Sequence, residues 1–211
     1  MKLSKKSEFN SDAYEIAICG YQVKEISYHV GIFWRANGEK KIIHFLNGKN
    51  IPIQDYNSNF DNYYFNPLHG FPSWKLNTFI SFAQLASQNK LNCFVFNQEI
   101  GCYDGGGFDF NTGDLNSKRI VDRYINCGVF VLAFLKTFDF ELINHSTWPE
   151  QKDYLILKNW LKDRNIPKDE WADFVKQAKE LRGRHVLVAP ASEELPATYE
   201  KVNELIESLL P

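Results

Sequence analysis

The sequence predicts an α+β protein in which strands dominate the first part of the chain and helices dominate the last part. Before residue 50, short runs rich in β-branched and aromatic residues recur between turn residues. Beyond Phe140, apolar residues recur at helical intervals among many charges. With 211 residues, of which 44% are hydrophobic, the chain is long enough and apolar enough to bury one core.

The predicted strands come early. Residues 13–19, 28–34 and 41–46 have β character, and the last two runs are joined by residues 36–40, which carry the hairpin dipeptide Asn37-Gly38. Residues 48–73 are rich in Asn, Asp, Tyr and Pro without a clear period, which predicts a long loop. A buried strand is expected at 91–97.

The predicted helices begin with residues 74–89, where apolar side chains recur at helical spacing. Further helices are expected at 152–163, at 168–181 and from Pro196 or Ala197 to Leu210, with a strand at 184–189 between them. We therefore expect a core at residues 1–140 and a helical extension at 141–211, packed together as one compact domain.

Composition excludes several classes of function. A net charge of −2 with no basic stripe argues against a nucleic-acid partner. No apolar run is as long as a membrane span, and the N-terminal lysines precede no apolar segment of a secretory signal. A cytoplasmic protein is expected on this basis, although an injected bacterial effector would also lack such a signal. The cysteines show neither CxxC pairs nor metal-ligand spacing, so we expect no metal and no cofactor; they are Cys19, Cys93, Cys102 and Cys127.

Cys127 is the strongest candidate for chemistry. It follows a polar turn and directly precedes an apolar run of helical character. At a helix start, unpaired backbone N–H groups and the positive end of the helix dipole favour a thiolate, which is the nucleophilic form of cysteine. The alternative is a buried cysteine that acts as a small hydrophobic side chain.

A cysteine nucleophile needs a base and a group that orients the base. His29 lies in one predicted strand, and His44 lies in its partner across the hairpin. Two antiparallel strands place such residues on neighbouring tracks of one sheet, so His44 could orient His29. Asn47, at the end of the second strand, is the alternative third member.

These residues carry a resemblance to a known superfamily. The run His29-Val30-Gly31-Ile32-Phe33, the second histidine in Ile42-Ile43-His44-Phe45 and the pair Asn126-Cys127 resemble the circularly permuted papain-like hydrolases. That group includes NlpC-type peptidases and lecithin:retinol acyltransferase-like enzymes. The resemblance implies a papain-like core with an antiparallel sheet, in which the histidine strand precedes the cysteine helix. It also implies that Cys127 is the nucleophile, His29 the base and His44 the third member.

A second resemblance concerns the same cysteine. The run Asn126-Cys127-Gly128-Val129-Phe130-Val131 is similar to the cysteine motif of ubiquitin-like-protein proteases. That family would place Asn47 in the third position. It would also place a glutamine near the cysteine as an oxyanion donor, a role that Gln98 could take only if its loop folds back.

The sequence therefore predicts a Cys–His thiol hydrolase that cleaves a peptide, isopeptide or other amide bond through an acyl-enzyme. An acyltransferase or lipid hydrolase of the same superfamily and a non-catalytic binding domain on the same scaffold are the alternatives. The Cys127 backbone N–H is expected to stabilise the oxyanion, and His185 is a lesser candidate for the base. The glycine-rich loop at 99–118, with Gly105, Gly106 and Gly107, is expected to act as a lid that carries Phe108 or Phe110 over the site. The sequence does not specify the substrate or the oligomeric state.

Overall fold

The computed structural model describes residues 3–24, 27–46, 51–57, 60–91, 94–95, 101–103, 105–115, 124–150, 158–159, 161–162, 168–169, 171 and 178–210. Within these ranges the protein is α+β, as the sequence predicts, with a six-stranded antiparallel sheet and four α-helices. The strands of this sheet are β1 Ser4–Lys5, β2 Ile16–Lys24, β3 Ser27–Ala36, β4 Glu39–His44, β5 Ile53–Asp55 and β6 Tyr64–Pro67. Their spatial order is β1-β6-β2-β3-β4-β5.

The remaining elements are short strands and helices. Parallel β7 and β9 form one small sheet, and antiparallel β8 and β10 form another. These strands are β7 Phe94–Val95, β8 Gly101–Cys102, β9 Tyr124–Ile125 and β10 Ala178–Lys179. The α-helices are α1 Leu76–Leu85, α2 Cys127–Lys136, α3 Gly183–Val188 and α4 Tyr199–Leu209, and a π-helical turn, Ala86–Lys90, continues α1.

The β3–β4 hairpin is the centre of the large sheet. Asn37 and Gly38 occupy its turn with φ angles of 53° and 78°, the left-handed conformation that these two residue types tolerate best in tight hairpins. The strands then pair in register from Ala36 opposite Glu39 to Gly31 opposite His44. β3 continues beyond this last pair to Ser27, whereas β4 ends at His44.

Each face of the sheet has its own apolar layer. On one face Val30, Ile32 and Ile43 lie in a core that also contains the apolar residues of α1, α2 and α3. On the other face Phe33 and Ile42 lie in an aromatic layer, whose further buried members are Phe9, Ala17, Cys19, Tyr56, Phe60, Tyr63 and Phe65. Because successive residues of a strand point to opposite faces, β3 contributes alternate side chains to the two layers.

The C-terminal residues share the helical core with the first part of the chain. Leu181 and Val186 are buried in the same cluster as Val30 and Phe130. Asn66 of β6, completely buried, donates a hydrogen bond from Nδ2 to the carbonyl of Leu187 at 2.9 Å. Residues 181–188 therefore pack on the sheet itself.

Two predicted elements are wrong: the expected loop at 48–73 contains β5 and β6, and the expected strand at 184–189 is helix α3. Of the helix expected at 168–181, Trp171 is helical, whereas residues 178–179 form strand β10. Helix α3 is too short to show a helical period, and its run Val186, Leu187 and Val188 is completely buried, so its sequence has the composition of a buried strand. Strand β6 is four residues long and lies among turn residues, which obscured it.

Candidate active site

Helix α2 begins at Cys127, and the preceding Asn126 fixes this start. Asn126 has extended backbone angles, and its Oδ1 accepts a hydrogen bond from the Val129 N–H at 2.8 Å. Its Nδ2 donates to the carbonyl of Leu181 at 3.0 Å. Asparagine suits this position because its side chain caps the helix with one atom and donates with the other. The start of α2 is thereby tied to the segment that leads into α3.

The Cys127 sulfur faces backbone groups. The thiol donates to the carbonyl of Tyr28 at 3.7 Å. Burial raises the pKa of the Cys127 thiol, and the backbone N–H groups of Val30, Gly128 and Cys127 itself act in the opposite direction without cancelling it. The helix start favours the thiolate, but burial outweighs this effect, so the thiol of the resting protein holds its proton at neutral pH.

The Cys127 sulfur lies beside the part of β3 that extends past the end of β4. The last β3–β4 pair is Gly31 with His44, so residues 28–30 of β3 extend past the end of their neighbour. The Tyr28 carbonyl and the Val30 N–H, both in contact with the sulfur, belong to this overhang. Cys127 thus occupies the edge of the sheet rather than the middle of the helical core.

The structure brings His29 and His44 together. Nε2 of His29 and Nδ1 of His44 are 2.9 Å apart, and the ring centroids are separated by 5.1 Å. Burial and the neighbouring His44 lower the pKa of His29 to about 4. Burial also lowers the pKa of His44 to about 4, although Gln54 acts in the opposite direction. Both imidazoles are therefore neutral at pH 7, and a neutral imidazole can accept a proton.

The structure places His29 on the face of the sheet opposite to the helical core against which Cys127 packs. His29 lies between Tyr28 and Val30, whose side chains face the helices, so its own side chain projects from the aromatic face. Its ring lies 5.5 Å from that of Tyr21, which packs on the aromatic layer. No hydrogen bond joins Cys127 to His29, although both are among the described residues. The alternation along β3 was recognised in the sequence, but the face on which α2 packs was not.

Tyr63 and Tyr21 lie in the aromatic layer next to His29. The Cys127 thiol contributes to the raised pKa of Tyr63, after burial, Cys19 and Tyr21. The Tyr63 ring lies 4.8 Å from that of Tyr21, which is the neighbour of His29. This contribution belongs to the ionised form of Cys127, since the protonated thiol present at neutral pH carries no charge.

A cavity of about 450 Å³ opens beside the histidine pair. Tyr21 and Phe60 line it, and their rings lie 5.5 Å from His29 and 6.4 Å from His44 respectively. The rest of its wall is formed by Ile53, Gln54, Asp55, Asn62 and Tyr63. Its mixture of aromatic and amide side chains suits a neutral polar ligand.

We expect the free energy of unfolding to fall as the pH decreases from about 6.5 to about 4. Both histidines have folded-state pKa values of about 4, below the ordinary value of 6.5, so the unfolded chain binds their protons first. Their contribution is fully present above pH 6.5 and is lost towards pH 4. Urea unfolding at several pH values, with His44→Asn beside His69→Asn, checks this. His69 is exposed, so only the His44 variant should flatten the pH dependence; equal slopes in both variants would contradict it.

The other predicted site residues fall into two groups. Asn47 and Gln98 lie outside the described residues. His185 lies in α3, is 1% exposed, and accepts a hydrogen bond at Nδ1 from the Arg182 N–H at 3.0 Å. It fixes the turn into α3, which gives it a structural role and argues against its use as the base.

The glycine-rich loop packs at the other end of α2. A Cβ added to Gly107 would lie 2.7 Å from the Thr137 nitrogen, one residue past the helix end and about 15 Å along the axis from Cys127. Phe108 is buried near Phe130, and Phe110 stands against Phe82 with ring centroids 5.0 Å apart. Gly107 of this loop therefore packs at the end of α2 away from Cys127, whereas Phe108 reaches Phe130 in the first turn of the helix. The role of the loop as a lid stays a prediction.

Comparisons with protein-family models, with curated proteins and with solved structures find no match to this chain. Among the described residues, no helix combines the length and the apolar character needed to cross a membrane. The same part of the chain contains no group of three or more histidine, cysteine, aspartate or glutamate side chains placed to hold a metal ion.

Proposed function

We propose that this chain is a thiol hydrolase that cleaves an amide bond, with Cys127 as nucleophile, His29 as base and His44 as the residue that orients His29. We extend the proposal to a papain-like core in which the histidine strand precedes the cysteine helix. The observation that carries it is the setting of the sulfur, at the first position of α2 and facing the N–H groups of Cys127, Gly128 and Val30. A buried structural cysteine needs no such arrangement of donors.

The same N–H groups supply an oxyanion site. In the first turn of α2, Val129 donates to the Asn126 side chain and Phe130 donates to the Asn126 carbonyl. The N–H groups of Cys127 and Gly128 remain directed at the sulfur. Donors fixed in this way stabilise the negative charge that develops on a carbonyl oxygen during attack, and they need no rearrangement in the transition state.

The protonation states of Cys127 and His29 fit general-base catalysis. The thiol is protonated and the imidazole neutral at rest, so the sulfur attacks the carbonyl carbon as His29 takes its proton. His29 uses Nε2 for His44, which leaves Nδ1 for the thiol. The imidazolium then protonates the departing amine, and water hydrolyses the thioester on Cys127. For this step the thiol must leave the Tyr28 carbonyl and approach His29, whose side chain projects from the other face of β3. Catalytic hydrogen bonds are often long or poorly aligned in a resting site and form with substrate.

The test is detection of the acyl-enzyme. We expect a panel of peptide anilides, isopeptides, aryl esters and thioesters to give turnover and, after acid quench, a substrate-mass adduct on Cys127. Cys127→Ala should abolish both, whereas Cys19→Ala should retain both, because Cys19 is a fully buried thiol in the aromatic layer. Turnover of thioesters or lipid esters without amides would instead favour the acyltransferase branch.

A non-catalytic binding domain is the second candidate. It is favoured by the raised pKa of Cys127 and by the absence of a hydrogen bond to His29. In that case Cys127 would react with iodoacetamide no faster than Cys19 in the native protein, and no adduct would form with any member of the panel. Preferential labelling of Cys127, slowed by His29→Ala, contradicts this candidate.

A further inference from the structure

Two arginines flank the glycine that packs behind the Cys127 site. A Cβ added to Gly183 would lie 2.1 Å from the Tyr28 carbonyl oxygen, the same atom that the Cys127 thiol contacts. Arg182 and Arg184 are its neighbours in the chain, and a Cβ on Gly128 would lie 3.6 Å from the Arg182 carbonyl carbon. The Arg182 backbone is thus held against the start of α2, and Arg184 follows it two positions later.

The charges of this cluster do not balance. Arg182 forms an ion pair with Glu180, with Nη2 and Oε1 3.3 Å apart. Arg184 has neither an ion pair nor a hydrogen bond to any residue in the described ranges. Burial and Arg182 lower the pKa of Arg184, and Glu180 only partly offsets them. The guanidinium groups of Arg182 and Arg184 carry two positive charges, and the Glu180 carboxylate neutralises one of them. One positive charge therefore remains in a half-buried position.

The cluster also offers donors without acceptors. Among the described residues, the buried Nε atoms of Arg182 and Arg184 have no hydrogen-bond partner. The same holds for the hydroxyl of Tyr28, a residue that is only 5% exposed. Burial and Tyr64 raise the pKa of Tyr28, whereas Arg184 lowers it. Arg184 directly follows Gly183, which packs against the Tyr28 backbone. Leaving a buried donor unpaired costs free energy that a bound acceptor would restore.

We propose that Arg184, Arg182 and the Tyr28 hydroxyl bind a carboxylate of the substrate next to the bond that Cys127 attacks. An arginine presents Nε–H and Nη–H as a planar fork that matches the two oxygens of a carboxylate, and the phenol adds a third donor. The single uncompensated charge matches a monoanion better than a phosphate dianion. The inference rests on the proposed function, since it names the class of its substrate: an acyl compound that carries a carboxylate.

Equilibrium binding to the full chain with Cys127→Ala tests this without any turnover. We expect N-acetylglycine to bind at least tenfold more tightly than N-acetylglycinamide in a calorimetric or NMR titration. Arg184→Gln should remove the difference, and Tyr28→Phe, which deletes only the hydroxyl, should weaken carboxylate binding by about tenfold. Arg35→Gln is the matched control, because the Arg35 Nε donates to the Tyr14 carbonyl elsewhere on β3.

Each outcome decides the proposal. Equal binding of acid and amide, or no effect of both Arg184→Gln and Tyr28→Phe, would overturn it, as would tighter binding of inorganic phosphate than of the carboxylate. If Arg184→Gln does not fold, the Tyr28→Phe titration alone decides. If carboxylate binding depends on Arg184 but no substrate is turned over, the hydrolase proposal is refuted and the carboxylate-site proposal is supported. If substrates with and without a carboxylate are turned over equally well, the hydrolase proposal is supported and the carboxylate-site proposal is refuted.

Discussion

Replacing His29 by alanine is expected to lower kcat/KM by about 10²–10⁴-fold, the usual contribution of a general base. The Cys127 thiol keeps its proton at rest, so the reaction depends on a group that removes this proton during attack. His44→Ala should cost less, about 10–100-fold, because His44 acts only through its 2.9 Å hydrogen bond to His29. The ranking of the two variants follows from this geometry.

The measurement is steady-state kinetics on whichever substrate of the panel is turned over, accompanied by the pH profile of kcat/KM. The exposed His69 provides the control: His69→Ala should leave kcat/KM unchanged. His44→Ala should also move the acidic limb of the profile, since removing a buried neighbour alters the pKa of His29. If His29→Ala retains full activity, the thiol uses another base and the proposed pair is incorrect.

Asn126→Ala is expected to lower the free energy of unfolding by about 2–4 kcal/mol. Loss of the cap to Val129 accounts for about 1 kcal/mol, and the unpaired Leu181 carbonyl adds about 1–3 kcal/mol. Asn126 is 2% exposed, so water does not readily replace either bond. Urea unfolding monitored by circular dichroism gives the value.

Thr198→Ala is the matched control for this prediction. Thr198 caps α4 in the same way, through Oγ1 and the Lys201 N–H at 3.4 Å, but at an exposed position. It should cost about 1 kcal/mol or less, because only the cap is lost. Equal losses in the two variants would show that the second bond of Asn126, to Leu181, contributes nothing.

The sequence predicted the hairpin of β3 and β4 because alternation and the Asn37-Gly38 turn are local signals. It also placed the start of α2 at Cys127, since a polar turn before an apolar run is a local signal too. Strand β6 was missed because its four residues are recognisable only through their pairing with β2. Local sequence patterns do not indicate which distant segments of the chain pair with each other in the fold.

The same limit applied to the site. The sequence indicated that His29 and Val30 face opposite ways, and the structure agrees. Which of these two faces receives α2 depends on tertiary packing, where Phe130 stacks on Phe45 with ring centroids 5.3 Å apart. The sequence predicts no chemical role for residues 181–184, because their approach to Tyr28 and to the start of α2 arises only in the folded chain.

The bond between Asn126 and Leu181 spans 55 positions of the chain and has a consequence for biosynthesis. A nascent chain that has reached α2 already carries Cys127, but the acceptor that locks the helix start has not yet been translated. Gly183, whose close fit holds the Tyr28 carbonyl beside the sulfur, comes later still. The surroundings of the Cys127 sulfur are therefore complete only after these late residues fold back, so the thiol of a partly synthesised chain lacks the environment that it has in the folded protein.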